Sequence, residues 1–460
     1  MAQAASLRFS ERLGYGLGDT ASNFFFQTFN IFLLYYYTDI FGIPAGFVGT
    51  MFLVSRIWDA VNDPLMGIIA DRTSTRWGKY RPYLLFFAIP YGLVGFLMFA
   101  NPDLDLTGRM VYAAVTYTAM MMVYTAINIP YAALMAVMTP SSAERTTLST
   151  FRFVGAFGGG MLVTAMVLPL KDALGGGDEA TGFRYTMALF GVISIALFCC
   201  TFFLTKERLK PTPRSKGSLG KDLSDLMGNR PWLVMVAAAV FTMTNVAIRN
   251  GATVYFFKYY LEDEAAASLF MTVGMGAMVL GVMSTKFFTQ RWDKRTLMIW
   301  LNAANALCIL LFFFIPSDQL VLMYVVNIVG TFLAGPTPAL VWAMYSDVAD
   351  YSEWKYGRRA TALIFSAAQF AQKAGLTIGG FCSGWLLEGF GFVANAAQTG
   401  TALLGIRLMY SVIPAIFAGA NALVMILYPL TEDKVRQIET ELQDLRDNHP
   451  DPQPLTAAAS

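Results

Sequence analysis

Residues 184–205 read RYTMALFGVISIALFCCTFFLT, an apolar run whose one charged residue is the first. A helix needs about 20 mostly apolar residues to cross the hydrocarbon core of a bilayer, because it rises about 1.5 Å per residue. The run therefore predicts a transmembrane helix.

Similar runs recur along nearly the whole chain of 460 residues. The composition agrees, because 56% of residues are hydrophobic and 14% are charged, whereas soluble domains carry about 25% charged residues. The pattern predicts an all-α membrane protein of twelve transmembrane helices. The predicted spans are 14–39, 45–70, 82–101, 110–137, 148–170, 184–205, 232–260, 266–288, 297–316, 319–346, 361–387 and 402–428.

Lysine and arginine are distributed unequally between the two sets of loops. About 24 of them lie at the N-terminus, after even-numbered spans or in the tail, and about five lie on the other side. Cytoplasmic loops are the ones enriched in these residues, so both termini are expected in the cytoplasm, as in a multi-pass protein of a bacterial inner membrane. Because the charges are divided between two faces of a bilayer, we expect no nucleic-acid partner.

Two short motifs indicate an internal duplication. Arg76-Trp77-Gly78-Lys79 follows the second span, and Arg291-Trp292-Asp293-Lys294 follows the eighth, the same place in each half. This predicts two six-helix bundles, residues 1–205 and 232–430, around a central cavity. A cytoplasmic loop over 206–231 would separate them. The tail, 431–460, is expected to form an amphipathic helix against the cytoplasmic face, with Val435, Ile438, Leu442 and Leu445 on its apolar side.

The second span holds acidic residues in the middle of the predicted membrane. Asp59 and Asp63 are one turn apart on one helix face, and Asn62 lies beside them. Thr125 of the fourth span could add an oxygen at similar depth. Buried ionisable groups are costly and usually serve a function, so the set is interpreted as a site for a coupling cation, with Asp59 and Asp63 as Na⁺ ligands if sodium drives transport.

Two such carboxylates could equally share a proton. The alternative is a structural ion pair in which Arg56 neutralises one aspartate.

A second polar set suits an organic solute. Asp19, Asn23 and Gln27 recur every four residues along the otherwise aromatic first span. Side chains on other spans could complete a carbohydrate site, in which few polar groups and an aromatic face meet in an apolar cleft. These are Asn128, Arg152, Trp342, Gln369 and Lys373. The alternative is interhelical bonding without a ligand, with Asp19 paired to Arg152 or Lys373.

Two further features have structural interpretations. Arg249 of the seventh span could line the same cavity or extend to the periplasmic surface. Gly155 and Gly159 have the spacing of small residues at a close contact between helices.

The sequence argues against an enzyme. The one histidine, His449, lies in the tail, which excludes histidine catalysis and histidine metal ligation within the membrane. The chain has no GxxxxGK[ST] motif, so an ATP-driven pump is not expected. We expect no cofactor besides a coupling ion, and the energy would come from an ion gradient or from the gradient of the solute.

Several segments resemble the glycoside–pentoside–hexuronide:cation symporter family of the major facilitator superfamily, of which melibiose permease is the best-known member. The resemblance runs from Gly14 to Pro429. It is carried by the stretches 35–39 (YYYTD), 49–50 (GT), 56–67 (RIWDAVNDPLMG), 76–79 (RWGK), 128–131 (NIPY) and 347–355 (DVADYSEWK).

The resemblance implies the major facilitator fold and alternating access between two bundles, with a cation and a sugar carried together. It implies that Asp59 and Asp63 match the paired cation carboxylates of the family, with Asn62 and Thr125 as auxiliary oxygens. The other matched positions hold sugar or organise its site. They are Asp19, Arg152, Trp342 and Lys373.

One departure from the family bears on the substrate. Melibiose permease has an aspartate where this chain has Asn128 and a tryptophan where it has Ala132, which argues against melibiose but not against a sugar. Similarity looks closest to the branch associated with xylosides and related glycosides.

The leading hypothesis is a monomeric secondary active symporter that couples Na⁺ or H⁺ entry to glycoside uptake. Asn62 favours sodium, because a proton site needs no extra neutral ligand. One alternative is a cation-coupled lysolipid transporter, which the polar stripe on the first span disfavours. Another is a non-transporting membrane receptor or sensor, which would be expected to carry a signalling domain or a long tail.

Overall fold

The described part of the chain is helical at every predicted span. The structure, a computed structural model, describes residues 7–139, 142–208, 226–356 and 361–448. Twelve helices match the predicted spans one to one, and a further helix forms the tail. They are α1 (Phe9–Ile31, continued by Leu33–Tyr35 and Tyr36–Ile40), α2 (Ala45–Arg72), α3 (Arg81–Leu97), α4 (Leu106–Met138), α5 (Ser142–Gly175), α6 (Glu179–Leu204), α7 (Arg230–Tyr260), α8 (Glu264–Thr289), α9 (Lys294–Leu311), α10 (Leu320–Tyr356), α11 (Thr361–Gly389), α12 (Gly400–Ile426) and α13 (Glu432–Asn448).

Seven of the described helices are long and apolar enough to cross a membrane by length and composition alone: α4, α5, α6, α7, α8, α10 and α12. Of the other five, α3 is short, and α9 begins with two basic residues. The remaining three hold ionisable residues within their spans, such as Asp19, Asp63 and Lys373. The candidate site residues themselves lower the hydropathy of the helices that hold them.

Local chemistry sets where the helices begin and bend. Asp105 accepts a hydrogen bond from the backbone N–H of Gly108 (3.0 Å) at the start of α4, and Asn229 accepts one from Trp232 (3.1 Å) at the start of α7. Such caps satisfy amides that have no partner inside the helix. Helix α12 is interrupted at Ser411, whose φ is −127° and ψ −78°, three residues before Pro414. Proline lacks the N–H that would bond to the carbonyl four residues earlier, so the helix bends there.

The two halves pack in the same way. In the first half α1 lies against α5, and in the second half α7 lies against α11, the equivalent pair. A Cβ at Gly155 of α5 would lie 2.2 Å from the carbonyl oxygen of Gly16, so the close contact predicted for Gly155 is present. A Cβ at Gly379 of α11 would lie 2.5 Å from Ala247. The halves meet where α2 packs against α11 and where α5 packs against α8. The duplication relates α2 to α8 and α5 to α11, so these two contacts are equivalent.

At both repeated motifs, after α2 and after α8, a carboxylate binds the N-terminus of the next helix, but a different residue supplies it in each half. Asp293 caps α9 through the N–H of Thr296 (2.9 Å). Gly78 occupies the equivalent position and offers no side chain, and the carboxylate of Glu207 accepts from the N–H groups of Lys79, Tyr80 and Arg81 instead (2.8, 2.7 and 2.9 Å). Each half therefore neutralises a helix N-terminus with an acidic group.

The tail forms the predicted amphipathic helix. Val435, Ile438 and Leu442 of α13 are buried in a cluster with the second half, and Trp354 of α10 donates a hydrogen bond to Glu441 (2.5 Å). The helix therefore packs against the second half through its apolar side. The side chain of Leu445 lies outside the described residues.

The helix bundle has two ends, here called the termini face and the far face. The termini face carries Glu11, Glu207 and α13, and the far face carries the turn at 41–44 between α1 and α2. Helices α1–α6 lie within the predicted bundle 1–205, whereas α7 begins at Arg230, two residues before the predicted start of the second bundle at 232. The central loop and the end of the tail stay predictions, because residues 209–225 and 449–460 lie outside the described residues.

Candidate substrate and cation site

Asp63 lies where α2 of the first half faces α11 of the second. Thr125 of α4 donates a hydrogen bond to Asp63 Oδ1 (2.9 Å), as a ligand pair would require. Lys373 of α11 donates to Asp63 Oδ2. Lys373 was predicted as a sugar-site residue, so its contact with Asp63 links the two predicted sites. A carboxylate can bind a small cation when a neutral oxygen lies beside it and its lysine partner can move away.

Asp59 and Asn62 lie beside Asp63 on α2. The Asp59 side chain is buried one turn before Asp63, and Asn62 is half-buried. The Asp63 side chain keeps 20% of its surface accessible. The alternative pairing through Arg56 stays a prediction, because that side chain lies outside the described residues.

Asp19 and Arg152 form an ion pair between α1 and α5. Nε of Arg152 lies 3.4 Å from Oδ2 of Asp19, and the guanidinium carbon lies 5.5 Å from the ring centre of Tyr131 on α4. The Arg152 side chain is 33% accessible, so part of its donor set is available to a ligand. A planar guanidinium held by one carboxylate can offer its remaining N–H groups to hydroxyl oxygens.

The polar stripe of α1 faces α5. Asn23 donates to the carbonyl of Asp19 (2.9 Å), and Gly159 leaves room beside it, since a Cβ there would lie 3.2 Å from Cβ of Asn23. Asn128 accepts a hydrogen bond from Ser22 (2.8 Å) and donates to the carbonyl of Tyr124 (3.1 Å). Those bonds act within the first half, so Asn128 orders the bundle in this conformation. A ligand role for Asn128 stays a prediction.

The second half contributes an aromatic face. The ring of Trp342 on α10 lies 6.5 Å from Phe153 of α5, centre to centre, so the two halves approach each other through aromatic rings at this level. Gln369 of α11 is exposed, one turn before Lys373. Phe153 and Ser22 were not identified from the sequence, because an apolar ring or a serine in a span carries no signal of its own.

Arg249 takes a third position that neither sequence alternative described. Its guanidinium carbon lies 5.1 Å from the ring centres of both Phe312 and Tyr410. These residues follow α9 and lie in α12, so Arg249 packs inside the second half on aromatic faces, which attract cations.

The far face is the closed one. Polar contacts join the halves there, including Lys258 to Asp39 (3.3 Å) and the N–H of Gly46 to Glu388 (2.7 Å). On the termini face, Arg12 contacts Glu144 (2.8 Å) and Lys294 contacts Asp347 (2.6 Å), each within one half. Between the halves, the Asp63, Arg152 and Lys373 side chains remain partly accessible.

Comparison with known proteins places these features in a family. Residues 14–432 match the family described as MFS/sugar transport protein. The inner membrane symporter YicJ of Escherichia coli (strain K12) is 38% identical over 439 residues, which cover 95% of both chains. The isoprimeverose transporter of Lactiplantibacillus pentosus is 36% identical over 447 residues, which cover 96% of this chain and 92% of the relative.

Solved structures agree on the fold. A bacterial homolog of the human lysosomal transporter Spinster, in an inward-facing and occupied conformation, has a TM-score of 0.67 over 93% of this chain and 97% of the other. Identity is 13%, so this comparison shows the fold alone.

Proposed function

This chain belongs to the MFS/sugar transport protein family, and on that premise we propose that it is a symporter that couples entry of Na⁺ to uptake of a glycoside. The predicted major facilitator fold is confirmed, and so is the resemblance to glycoside–pentoside–hexuronide:cation symporters. The family and the relatives are transporters, which confirms that the chain is not an enzyme. The ion, the sugar and the roles of individual residues are the proposal.

One observation carries the proposal: Lys373 of the second half neutralises Asp63 of the first half. A carboxylate deep in the membrane needs a positive partner. When a mobile cation binds Asp63 it can replace the ammonium, and Lys373 is then released toward the sugar site. Ion binding would in this way change both the contact between the halves and the polar groups offered to the solute.

Sodium is favoured over the proton by the neutral oxygens around Asp63. Thr125 already contacts this carboxylate (2.9 Å), and Asn62 adds an amide beside it on α2. Sodium needs such oxygens as ligands, whereas a proton needs only the carboxylate. A glycoside is favoured by Arg152 with Asp19, by the aromatic face of Trp342, and by the relative that is named as an isoprimeverose transporter.

The orientation is also part of the proposal. The excess of lysine and arginine lies on the termini face, which we assign to the cytoplasm of a bacterium. A relative named as an inner membrane symporter supports the bacterial inner membrane. In this orientation the far face, where contacts join the halves, lies toward the periplasm. We propose that the protein works as a monomer without a cofactor beyond the coupling ion.

Transport into vesicles tests the function. Uptake of labelled glycosides, isoprimeverose first, is measured in proteoliposomes with an imposed Na⁺ gradient, an imposed proton gradient or neither. We expect accumulation driven by Na⁺. Accumulation driven by the proton gradient alone would overturn the choice of ion, and no gradient-dependent uptake of any glycoside would overturn the function.

A matched pair of variants tests the cation site. Asp63→Asn should abolish ion-driven accumulation, because the amide has no charge for the cation to neutralise. Asp347→Asn removes a comparable carboxylate, which pairs with Lys294 (2.6 Å) within the second half, and should leave accumulation unchanged. Equal loss in both variants would count against Asp63 as the cation ligand.

A further inference from the structure

Eight polar side chains on the far face form one connected set, here called the far-face network. Each half supplies four of them. They are Tyr35, Asp39, Lys171 and Glu179 from the first half, and Lys258, Tyr259, Glu264 and Asn395 from the second.

Asp39 is the centre of this network. Its side chain has no accessible surface, and Oδ1 accepts hydrogen bonds from Lys258 (3.3 Å) and from the hydroxyl of Tyr259. Oδ2 accepts from Thr38 (2.7 Å). The side-chain amide of Asn395 donates to the backbone carbonyl of Asp39. Three residues of the second half therefore converge on one residue of the first.

Tyr35 connects this centre to a second ion-pair cluster. Lys258 donates to the Tyr35 hydroxyl (3.0 Å), and that hydroxyl donates to Glu179 (3.1 Å). Lys171, with 4% of its side chain accessible, lies between Glu179 (3.1 Å) and Glu264 of the second half (2.8 Å). The network thus crosses between the halves at Asp39 and again at Lys171.

The duplication explains why these groups meet. Residues Tyr36–Ile40 and Phe256–Tyr260 form wide π-helical turns at the ends of α1 and α7, the first helix of each half. Such turns are rare in proteins overall, but those that occur are often found at functional sites. The two turns face each other, and the hydroxyls of Thr38 and Tyr255 lie 2.7 Å apart. One turn presents an aspartate and the other a lysine.

We propose that the far-face network is the latch that holds the outer end of the transport path closed, with Asp39 as its positioning residue. Opening the far face would carry Lys258, Tyr259 and Asn395 away with the second half. Lys171 would keep Glu179, which is in its own half, but Asp39 would lose its only ion partner in the network. Opening would break the hydrogen bonds from Lys258, Tyr259 and Asn395 together, so a large share of the cost of opening falls on the contacts of Asp39.

The latch lies above a small, partly open pocket between the halves. A cavity of about 50 Å³ lies between α1, α2, α7 and α11, and its lining includes Asn30, Phe52, Gly251 and Thr377. Thr377 is one turn from Lys373 along α11, so the cavity lies between the proposed sugar site and the far face. A cysteine placed in this cavity should react faster with a reagent added from outside when the far face opens.

The inference rests on the proposed transport cycle, but its test needs no substrate. In a background with the four native cysteines replaced by serine, Asn30→Cys is introduced. The rate of its reaction with a membrane-impermeant maleimide is measured in right-side-out vesicles. We expect slow labelling, and labelling about tenfold faster when Asp39→Asn is added, which corresponds to about 1.4 kcal/mol in the opening equilibrium.

Two further variants keep the test independent of the folding of one mutant. Lys258→Gln removes the same ion pair from the other half and should speed labelling as Asp39→Asn does. Asn395 lies in an exposed loop and has a φ of +54°, so Asn395→Gly removes the side-chain amide without backbone strain and should give a smaller increase. Asp347→Asn, which breaks an ion pair on the termini face within one half, should leave the rate unchanged.

The outcomes separate this inference from the proposed function. Labelling at the starting rate in Asp39→Asn, Lys258→Gln and Asn395→Gly would overturn the latch, whatever the vesicle transport assay shows. Faster labelling would support the latch even if no glycoside were transported. If a transported sugar is found, its apparent affinity from outside should rise in Asp39→Asn, because apparent affinity scales with the population of the open state.

Discussion

Lys373 of α11 donates a hydrogen bond to the carboxylate of Asp63 on α2, so a cation of one half occupies the candidate ion site of the other. The sequence alone assigned these residues to different sites. Their contact makes the ion site and the contact between the halves a single structural element.

Removing the ammonium should strengthen ion binding. In Lys373→Met, Na⁺ no longer competes with a tethered cation for Asp63, so we expect the Kd for Na⁺ to fall by about tenfold or more, measured by isothermal titration calorimetry on purified protein. Lys294→Met, which removes a lysine paired with Asp347, should not change it. An unchanged or higher Kd in Lys373→Met would show that the lysine does not compete with the ion.

The Thr125 hydroxyl should contribute a modest part of the ion affinity. Thr125→Val removes the oxygen that contacts Asp63, and the loss of one hydrogen-bonding group costs about 1 kcal/mol, or about fivefold in Kd for Na⁺. Thr116→Val is the matched control on the same helix, because Thr116 donates to the carbonyl of Tyr112 (2.8 Å) and lies away from Asp63. Equal Kd values in the two variants would remove Thr125 from the site.

Arg152 should matter for sugar and not for the ion. Arg152→Lys keeps the charge but loses the planar fork, so we expect glycoside affinity to fall by about tenfold while the Kd for Na⁺ is kept. Arg12→Lys is the control, since Arg12 joins α1 to α5 through Glu144 (2.8 Å) at the termini face. If both variants weaken glycoside binding equally, Arg152 acts through helix packing alone.

The α1–α5 contact should tolerate no side chain at Gly155. In Gly155→Ala the new methyl group would meet the Gly16 carbonyl at 2.2 Å, and overpacking of this kind costs about 1–3 kcal/mol. We expect a lower thermal unfolding temperature in detergent. Gly158→Ala, where nothing lies within 4 Å, should be neutral or stabilising. A Gly155→Ala protein as stable as the Gly158→Ala protein would mean that the helices can separate at no cost.

The helices were largely predictable from the sequence, because membrane spans need long apolar runs. The predicted helix ends are wrong where a helix continues into polar residues or stops within apolar ones. Helix α10 continues to Tyr356, ten residues beyond the predicted 346, through the polar stretch around Asp347. Helix α9 ends at Leu311, short of the predicted 316, because Phe312 to Phe314 leave the helix while remaining apolar.

The site was predictable only where its residues share a helix. The spacing of Asp59 and Asp63 on α2 follows from helical geometry, and the Asp19–Arg152 pair was one of two pairings considered. The contact of Lys373 with Asp63 depends on how the halves meet, and a sequence pattern within one helix carries no information about that. The far-face network was missed for the same reason. Tyr35 to Asp39 stood out as a motif, but its partners in the network lie between 144 and 356 residues away along the chain.

The facing turns at Asp39 and Lys258 have a consequence for descent. Counted from their first residues, the two turns match Thr38 to Lys258 and Asp39 to Tyr259, so the ion pair joins neighbouring and not equivalent positions of the two halves. A half-length ancestor with an acid and a base at these two positions would have made the contact twice on pairing with a second copy of itself, once on each side of the symmetry axis. This chain has the acid in one half and the base in the other, so the contact is made once.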